Sequence, residues 1–480
     1  MLAIAIIPLI ISVLGLFRQL ARVLPKLASG LMLLQLPIVL WACIPALHST
    51  QPIGSGFAAD GIGAAFVILT TVVAAAAMFQ AALLLPAERR DGSDISDSRF
   101  CLFYAWSGLF IIAMYGVLLA SNLGYMWIAM EMTTLTSAPL VFFHRSRLSL
   151  EATWKYLLLC SVGIAFALFG TVLIFASSQG HHGPGGTLAF VELVERGKHL
   201  DPRLLRLGFI FCLLGYGTKA GLFPLHNWLP DAHSEAPAPA SAMLSGALLN
   251  CALVAIWRVT QITCNAGLAE LVHRTLIPMG AITVFAAGLM LVRQHDLKRM
   301  WAYSSVEHMG LLALAIGIGS GPIFVLHAIN HSLAKTALFL LAGNILHLYG
   351  SKSLSKIGGL LRLAPVWGVL LVAGSFAIAG SPPFGTFLSE WLLLRDAFAA
   401  KHYLAAAMVI AGLTIAFIAI SYHVGRALLG GRPEDRKFNY PKSWSFAPTA
   451  FLLAVLVTGL ALAPRVMSAL TELVDRSALR

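Results

Sequence analysis

GYGTKAGLFPLHNWLPDAHSEAPAPA, residues 215–240, is a run at membrane depth in an otherwise apolar segment, and it carries Lys219, His226, Asp231 and His233 around Pro224 and Pro230. A lysine at the centre of a spanning helix costs about 3 kcal/mol on insertion scales, so it is rarely there without a task. Pro224 has no N–H for the carbonyl of Ala220, and its ring pushes that carbonyl aside. A charge beside a broken helix at membrane depth is how ion-translocating proteins build a site.

The surrounding composition sets the class. The 480 residues are 58% hydrophobic and 11% charged, with a mean hydropathy of +0.82. These values point to an all-α polytopic membrane protein in contact with the lipid bilayer and exclude an ordinary soluble enzyme. The first residues, MLAIAIIPLIISVLGLF, have no basic stretch and no small-residue cleavage site, and read as a first span rather than a removed signal. The net charge of +12 is better explained by basic loops than by nucleic acid, which is not expected as a partner. Cys43, Cys101, Cys160, Cys212, Cys251 and Cys264 stand singly, unlike an iron–sulfur or zinc set. Neither a Walker loop nor G-x-G-x-x-G is present. No cofactor is expected, and His181 and His182 of the 178–203 loop read as solvated residues.

At about 20 residues per span, about 14 transmembrane helices are expected: 1–17, 31–47, 59–85, 100–120, 123–143, 154–177, 204–228, 238–261, 271–292, 301–319, 322–348, 365–394, 403–425 and 446–466. With the loop after the first span placed inside, Lys and Arg are in excess in the inside loops, which puts both termini outside, in the periplasm. Only Lys219 and Lys335 are left within spans. The seventh span is interrupted at Pro224 and Pro230, the twelfth at Gly380-Ser381-Pro382-Pro383. Each is the fourth of five, and an odd number of spans inverts the second copy. The expected organisation is an N-terminal three-helix segment (1–99), a first five-helix repeat (100–262, broken helix 204–228), an inverted second repeat (263–430, broken helix 365–394) and a C-terminal connector with the last helix (431–480). Paired broken helices in inverted repeats point to a transport site.

The ionisable groups at that depth form a series. Glu131 and Lys219 are the natural pair, since each can supply the other's counter-charge and their titrations would be coupled. His327, His331 and Lys335 recur at four-residue spacing and form one stripe two turns long, suited to a proton wire. His327 and His331 also have metal-ligand spacing, but an obvious third ligand is lacking and a lysine is near, so no metal is expected. Glu390 lies two turns beyond Pro383. His226, Asp231, His233, Asn250, His308 and His423 are possible relay or mouth groups, with Asp231 and His233 placed at the cytoplasmic mouth. Glu307, His308 and His423 also fit as ordinary core or snorkelling residues.

The stretch WIAMEMTTLTSAPLV, the opening stretch, DLKRMWAYSSVEHMG, HAINHSLAKTALFLLAGN and GSPPFGTFLSEW together resemble the antiporter-like subunit family. That family comprises proton-pumping chains of respiratory complex I, large Mrp antiporter subunits and membrane subunits of group 4 hydrogenases; this chain is most similar to the hydrogenase-4 type. The resemblance implies a proton-translocating subunit of the bacterial inner membrane, without a redox centre and not itself catalytic. It implies partners as well: other membrane subunits and a peripheral redox arm, hydrogenase-like or quinone-reducing. It assigns Glu131–Lys219 to coupling, Lys335 with His327 and His331 to a central relay, and Glu390 to the exit. Asn250 stands where complex I chains often have a lysine, so passage there falls to water and the histidine stripe. A cation/proton antiporter subunit, an independent solute transporter and a non-pumping anchor are the competing readings.

Overall fold

A computed structural model describes residues 2–54, 56–91, 95–179, 185–431 and 438–478. The protein is helical almost throughout. The N-terminal helices are α1 (Ile6–Leu14), α2 (Leu24–His48) and α3 (Gly61–Arg90), with a two-stranded hairpin, β1 (Gln51–Gly54) and β2 (Phe57–Ala59), before α3. Then follow α4 (Asp97–Leu119), α5 (Leu123–Val141), α6 (Arg147–Ser177), the short α7 (Phe190–Glu195), α8 (Pro202–Ala220), α9 (Trp228–Glu235), α10 (Ala238–Met243) and α11 (Leu249–Asn265). A second series comprises α12 (Ala269–Val292), α13 (Leu297–Ile318), α14 (Gly321–Tyr349), the single turn α15 (Leu360–Leu363), α16 (Pro365–Ile378), α17 (Gly385–Ala399) and α18 (Tyr403–Leu429). The chain closes with α19 (Ala447–Ala461) and α20 (Ala463–Ala478). His181 and His182 lie outside the described residues, as does part of the basic 426–444 connector.

Among the described residues, eight helices are long and apolar enough to cross a membrane: α2, α3, α4, α6, the continuous Ala238–Asn265 segment, α12, α14 and α18. The other expected spans are short (α1), carry ionisable residues (α5 with Glu131, α13 with Lys298, Arg299 and Glu307), or are interrupted (α8–α9 and α16–α17). The last expected span ends in a bend, with the helical stretches on its two sides meeting at 88°.

Burial sorts the helices by position. The apolar window of Ala238–Asn265 is wholly enclosed and that of α14 is 94% buried, whereas those of α2, α6 and α18 are 39% buried. The outer helices display Trp41, Leu158, Phe169 and Ile418, the surface expected against lipid or neighbouring spans. α12 packs closely on α13 and α18. A side chain at Gly280 would press on the backbone of Gly310, and one at Gly288 on that of Gly412. Small residues at such crossings let backbones approach, the usual source of attraction between helices in lipid.

Two basic residues assigned to loops from sequence are buried instead. Arg258 lies inside α11 and is 3% exposed. Its Nη2 is 3.3 Å from Asp60 Oδ2 and donates to the Leu118 carbonyl at 2.8 Å, while Nη1 donates to Ala120. Asp60 in turn caps α3 by accepting from the Gly63 N–H at 2.6 Å. One guanidinium therefore satisfies the orphan carbonyls that end α4 and ties them to the start of α3. Lys298, also buried, donates to the carbonyls of Ser234 and Ala236 at the end of α9. These placements remove one residue from each side of the loop-charge comparison.

Replacing Arg258 by alanine strands Asp60 and at least two carbonyls. It is expected to cost about 3–5 kcal/mol, read as a large drop in the melting temperature of the detergent-solubilised protein, with Arg258→Lys intermediate.

Candidate functional site: a buried polar axis between two helix breaks

The first break begins where α8 stops at Ala220. Gly221 adopts φ +73°, and the N–H groups of Gly221 and Leu222 return to the carbonyls of Thr218 and Gly217. This is a left-handed helix terminus that glycine accommodates without strain. The Thr218 carbonyl also accepts from the Trp228 indole at 2.8 Å, so the second half of the broken helix supplies a donor to the first. Pro224 lies in the break, as expected. Pro230 does not: it sits in the first turn of α9, where a missing N–H costs nothing.

Lys219 is fully buried at this terminus. Its Nζ is 3.3 Å from the Tyr156 hydroxyl and 5.3 Å from the centre of that ring. Tyr156 packs against Trp228 with centroids 4.8 Å apart and shares a 2.7 Å hydrogen bond with Ser137. Glu131 is not in direct ion-pair contact with Lys219. It accepts from Thr134 at 3.2 Å and from Ser161 at 3.3 Å, and it is only partly buried. The expected pair is thus separated, with Tyr156 in contact with the ammonium and Glu131 nearer the lateral surface.

The middle of the axis lies between α10–α11 and α14. Residues Leu244–Leu248 form a π-helical turn, a departure common at functional sites. Within it Ser245 meets Ser305 of α13 at 2.8 Å. One turn on, Asn250 donates to Ser332 of α14 at 2.6 Å and to the Gly246 carbonyl at 3.2 Å. Lys335 is fully buried and donates to the Trp301 carbonyl at 2.9 Å. His331 is likewise buried. Its ring centre is 5.1 Å from that of His308.

The second break carries the densest set. α16 ends at Ile378, Gly380 takes φ +62°, and Pro382-Pro383 precedes α17. The freed Ala377 carbonyl accepts from Thr386. The Ile378 carbonyl accepts from His308 Nε2 at 3.0 Å. His308 Nδ1 faces His327 Nε2 at 2.9 Å, and His327 Nδ1 faces Ser389 Oγ at 2.9 Å. Ser389 Oγ also lies 2.9 Å from the Thr386 carbonyl. The Glu390 carboxylate is 7% exposed, and its Oε1 lacks a partner among the described residues. It lies against Gly380, where any Cβ would overlap it.

With His308 neutral, hydrogen counting leaves this cluster two arrangements. Ile378 O can only accept, so a neutral His308 carries its proton on Nε2 and offers a lone pair at Nδ1. His327 must then donate from Nε2. If His327 is neutral, its Nδ1 accepts from the Ser389 hydroxyl. If Ser389 turns to Thr386 instead, His327 must donate from both nitrogens and is a cation, beside the Glu390 carboxylate. Rotation of one hydroxyl is therefore linked to the gain or loss of one proton.

The mouth residues divide. Asp231 accepts from Arg299 at 3.0 Å and Lys155 at 3.2 Å, and it lines an open polar cavity of about 630 Å³ together with Glu235, Asp296 and Lys352. His233, expected beside it, is instead fully buried and stacks on Phe339 at 5.0 Å. His226 is buried at the first break, stacked on Phe223 at 5.5 Å. His423 contacts the Val292 carbonyl at 3.2 Å, apart from the cluster's hydrogen bonds.

Known proteins share this architecture. The family described as NADH:quinone oxidoreductase/Mrp antiporter, TM, matches residues 120–416. The chain belongs to this family. A hydrogenase-4 component F homolog of Methylacidiphilum infernorum (isolate V4) is 38% identical over 427 residues, 88% of each chain. A Na(+)/H(+) antiporter chain of Alkalihalophilus pseudofirmus is 33% identical over 337 residues, 66% of this chain and 40% of that relative. Among solved structures, a chain of the archaeal membrane-bound sulfane sulfur reductase superposes with a TM-score of 0.86 at 22% identity, covering 99% of this chain and 96% of its own. A chain of respiratory complex I from Thermus thermophilus gives 0.76 at 23% identity, with 97% and 99% coverage. The motif-based resemblance to the antiporter-like family is thus borne out, as is the all-α membrane fold.

Tyr156, Ser332 and Ser389 were not legible as site residues, because a single hydroxyl on an apolar helix carries no spacing signal. Gly380 tests the geometry of the second break. Gly380→Ala must place a side chain at positive φ and displace the Glu390 carboxylate, at a cost of about 2 kcal/mol or more. A lowered melting temperature that Glu390→Ala partly restores in the double variant is the expected result.

Proposed function

We propose that this chain is a proton-translocating membrane-arm subunit of a hydrogenase-4-type or complex-I-like oxidoreductase. The observation that carries the reading is the buried polar axis. It holds Lys219 at one break, the Asn250–Ser332 and Ser245–Ser305 bridges and Lys335 in the middle, and His308, His327 and Glu390 at the other break. Family membership and the hydrogenase-4 component F homolog at 38% identity support it. In this reading the chain forms about fourteen spans in two inverted five-helix units. Its termini face the periplasm, and neighbouring membrane subunits and a peripheral redox arm supply the driving energy.

The mechanism follows from the separation of Glu131 and Lys219. Glu131 is the partly exposed member, so a neighbouring chain can alter its charge or position. Lys219, held by Tyr156, feels that change and gives up or takes back a proton. Water bridges the Asn250 region, where no titratable side chain is required. Lys335 and His331 pass the charge on, and the His308–His327 pair delivers it to Glu390 as Ser389 rotates. The polar cavity at Asp231 serves as the aqueous mouth. A cation/proton antiporter component is the second reading, favoured by the Na(+)/H(+) antiporter relatives.

Lys219→Ala is expected to leave the complex assembled while lowering proton transfer by about a hundredfold. The check is redox-driven acidification of vesicles containing the purified complex. Normal pumping in that variant overturns the reading. Tyr156→Phe keeps the ring against Lys219 but removes the hydroxyl, and is expected to give a smaller loss, about tenfold, in the same assay.

A further inference from the structure

We propose that His308, His327 and Glu390 form a binding site for a zinc-class divalent cation, which takes the position of the proton shared by the two imidazoles. One ligand atom from each residue lies within 4.8 Å of the others, and all three residues are buried. They come from α13, α14 and α17, so the set is invisible to local spacing. His331, four residues after His327, is not part of it.

The contacts behind the three ligands fit a cation. His308 Nε2 donates to the Ile378 carbonyl and His327 Nδ1 faces Ser389 Oγ. Each ring therefore has its outer nitrogen held, which fixes the orientation and tautomer of a metal-bound histidine. With a metal present, both inner nitrogens offer lone pairs and both rings are neutral. His327 Nδ1–H donates to Ser389, and Ser389 donates to the Thr386 carbonyl. Every hydrogen then has an acceptor, with no charged imidazole. The buried Glu390 Oε1, which has no donor among the described residues, gains a counter-charge that a carboxylate in this setting requires. The facing nitrogens stand 2.9 Å apart, and donors around tetrahedral zinc stand about 3.4 Å apart. A small opening of the pair admits the ion and leaves a fourth position for water.

From the doubly protonated state of His327 binding releases the Nε2 proton to solvent, whereas from the neutral state that proton moves to Nδ1, so binding weakens as pH falls wherever His327 is charged. An ion held there would also close the proton path. That consequence rests on the proposed proton transfer, but binding does not, and the test reads binding alone.

The experiment titrates the purified, intact protein with Co²⁺ and follows the intense visible absorption of four-coordinate cobalt, then displaces it with Zn²⁺. One Co²⁺ per chain with that absorption is expected. His308→Gln and Glu390→Gln should each weaken binding at least about tenfold, and Ser389→Ala, which keeps all three ligands, by about 10–100-fold. Ser389→Ala carries the test if the ligand variants fail to fold. Removing the loop histidines with His181→Ala and His182→Ala should leave the signal intact. The proposal is overturned if wild-type protein gives only the weak absorption of six-coordinate cobalt. It is equally overturned if the signal survives Ser389→Ala and His308→Gln unchanged, or if it is lost with His181 and His182.

Discussion

A helix that stops inside the membrane frees carbonyls that water cannot reach, and the architecture depends on how they are satisfied. An unpaired polar group there costs several kcal/mol, so irregular backbone survives only where protein supplies partners. The first break is tied by the Trp228 indole on the Thr218 carbonyl. The second is tied by Thr386 on Ala377 and by His308 on Ile378. The last of these matters most, because it makes a titratable ring part of the structural repair. The proton that completes the helix end is the one that fixes the His308 tautomer, and the tautomer of His308 dictates what His327 and Ser389 can do. Structure and candidate chemistry share one hydrogen bond.

The same constraint explains why the lysines are tolerated. Lys219 faces an aromatic ring and a phenol, and Lys335 a carbonyl with the Trp301 ring centre 5.9 Å away. Neither has a direct carboxylate partner among the described ion pairs. A tight buried pair would hold its proton in one place, since breaking it leaves an isolated charge. Dipoles and ring faces solvate an ammonium less strongly, which suits the change of charge that the proposed relay asks of these groups. Glu131, only partly buried, is the member of the proposed pair that a neighbouring chain could reach.

The sequence made the class, the broken helices and the long motifs plain, because hydropathy, Pro-Pro and Gly-Ser-Pro stretches and isolated lysines are strong local signals. It also placed Lys219, His327, His331, Lys335 and Glu390 within the membrane, and the structure buries each of them. What it did not carry was three-dimensional pairing. His308 was as plausible a core histidine as a relay, because its partners are 19 and 70 residues away. His233 looked like a mouth residue from its place after Pro230, yet α9 turns it inward against Phe339. Arg258, near the end of the expected 238–261 span, was counted with the outside loops, whereas Asp60 at the start of α3 and the carbonyls that end α4 hold it in the core.

Asn250 shows how the two halves of the axis differ in kind. Its amide bridges α11 to Ser332 of α14 without offering a charge, and the adjacent π-helical turn keeps Gly246 and Ser245 close to the same seam. A lysine in that place would make the centre a third site of fixed positive charge, near two others. An amide instead adds no charge to the seam between Lys219 and Lys335, which it joins by hydrogen bonds alone. Such an arrangement transmits a proton only when water joins the seam. The Ala238–Asn265 helix, whose apolar window is wholly enclosed, is therefore the segment whose hydration the proposed transfer depends on.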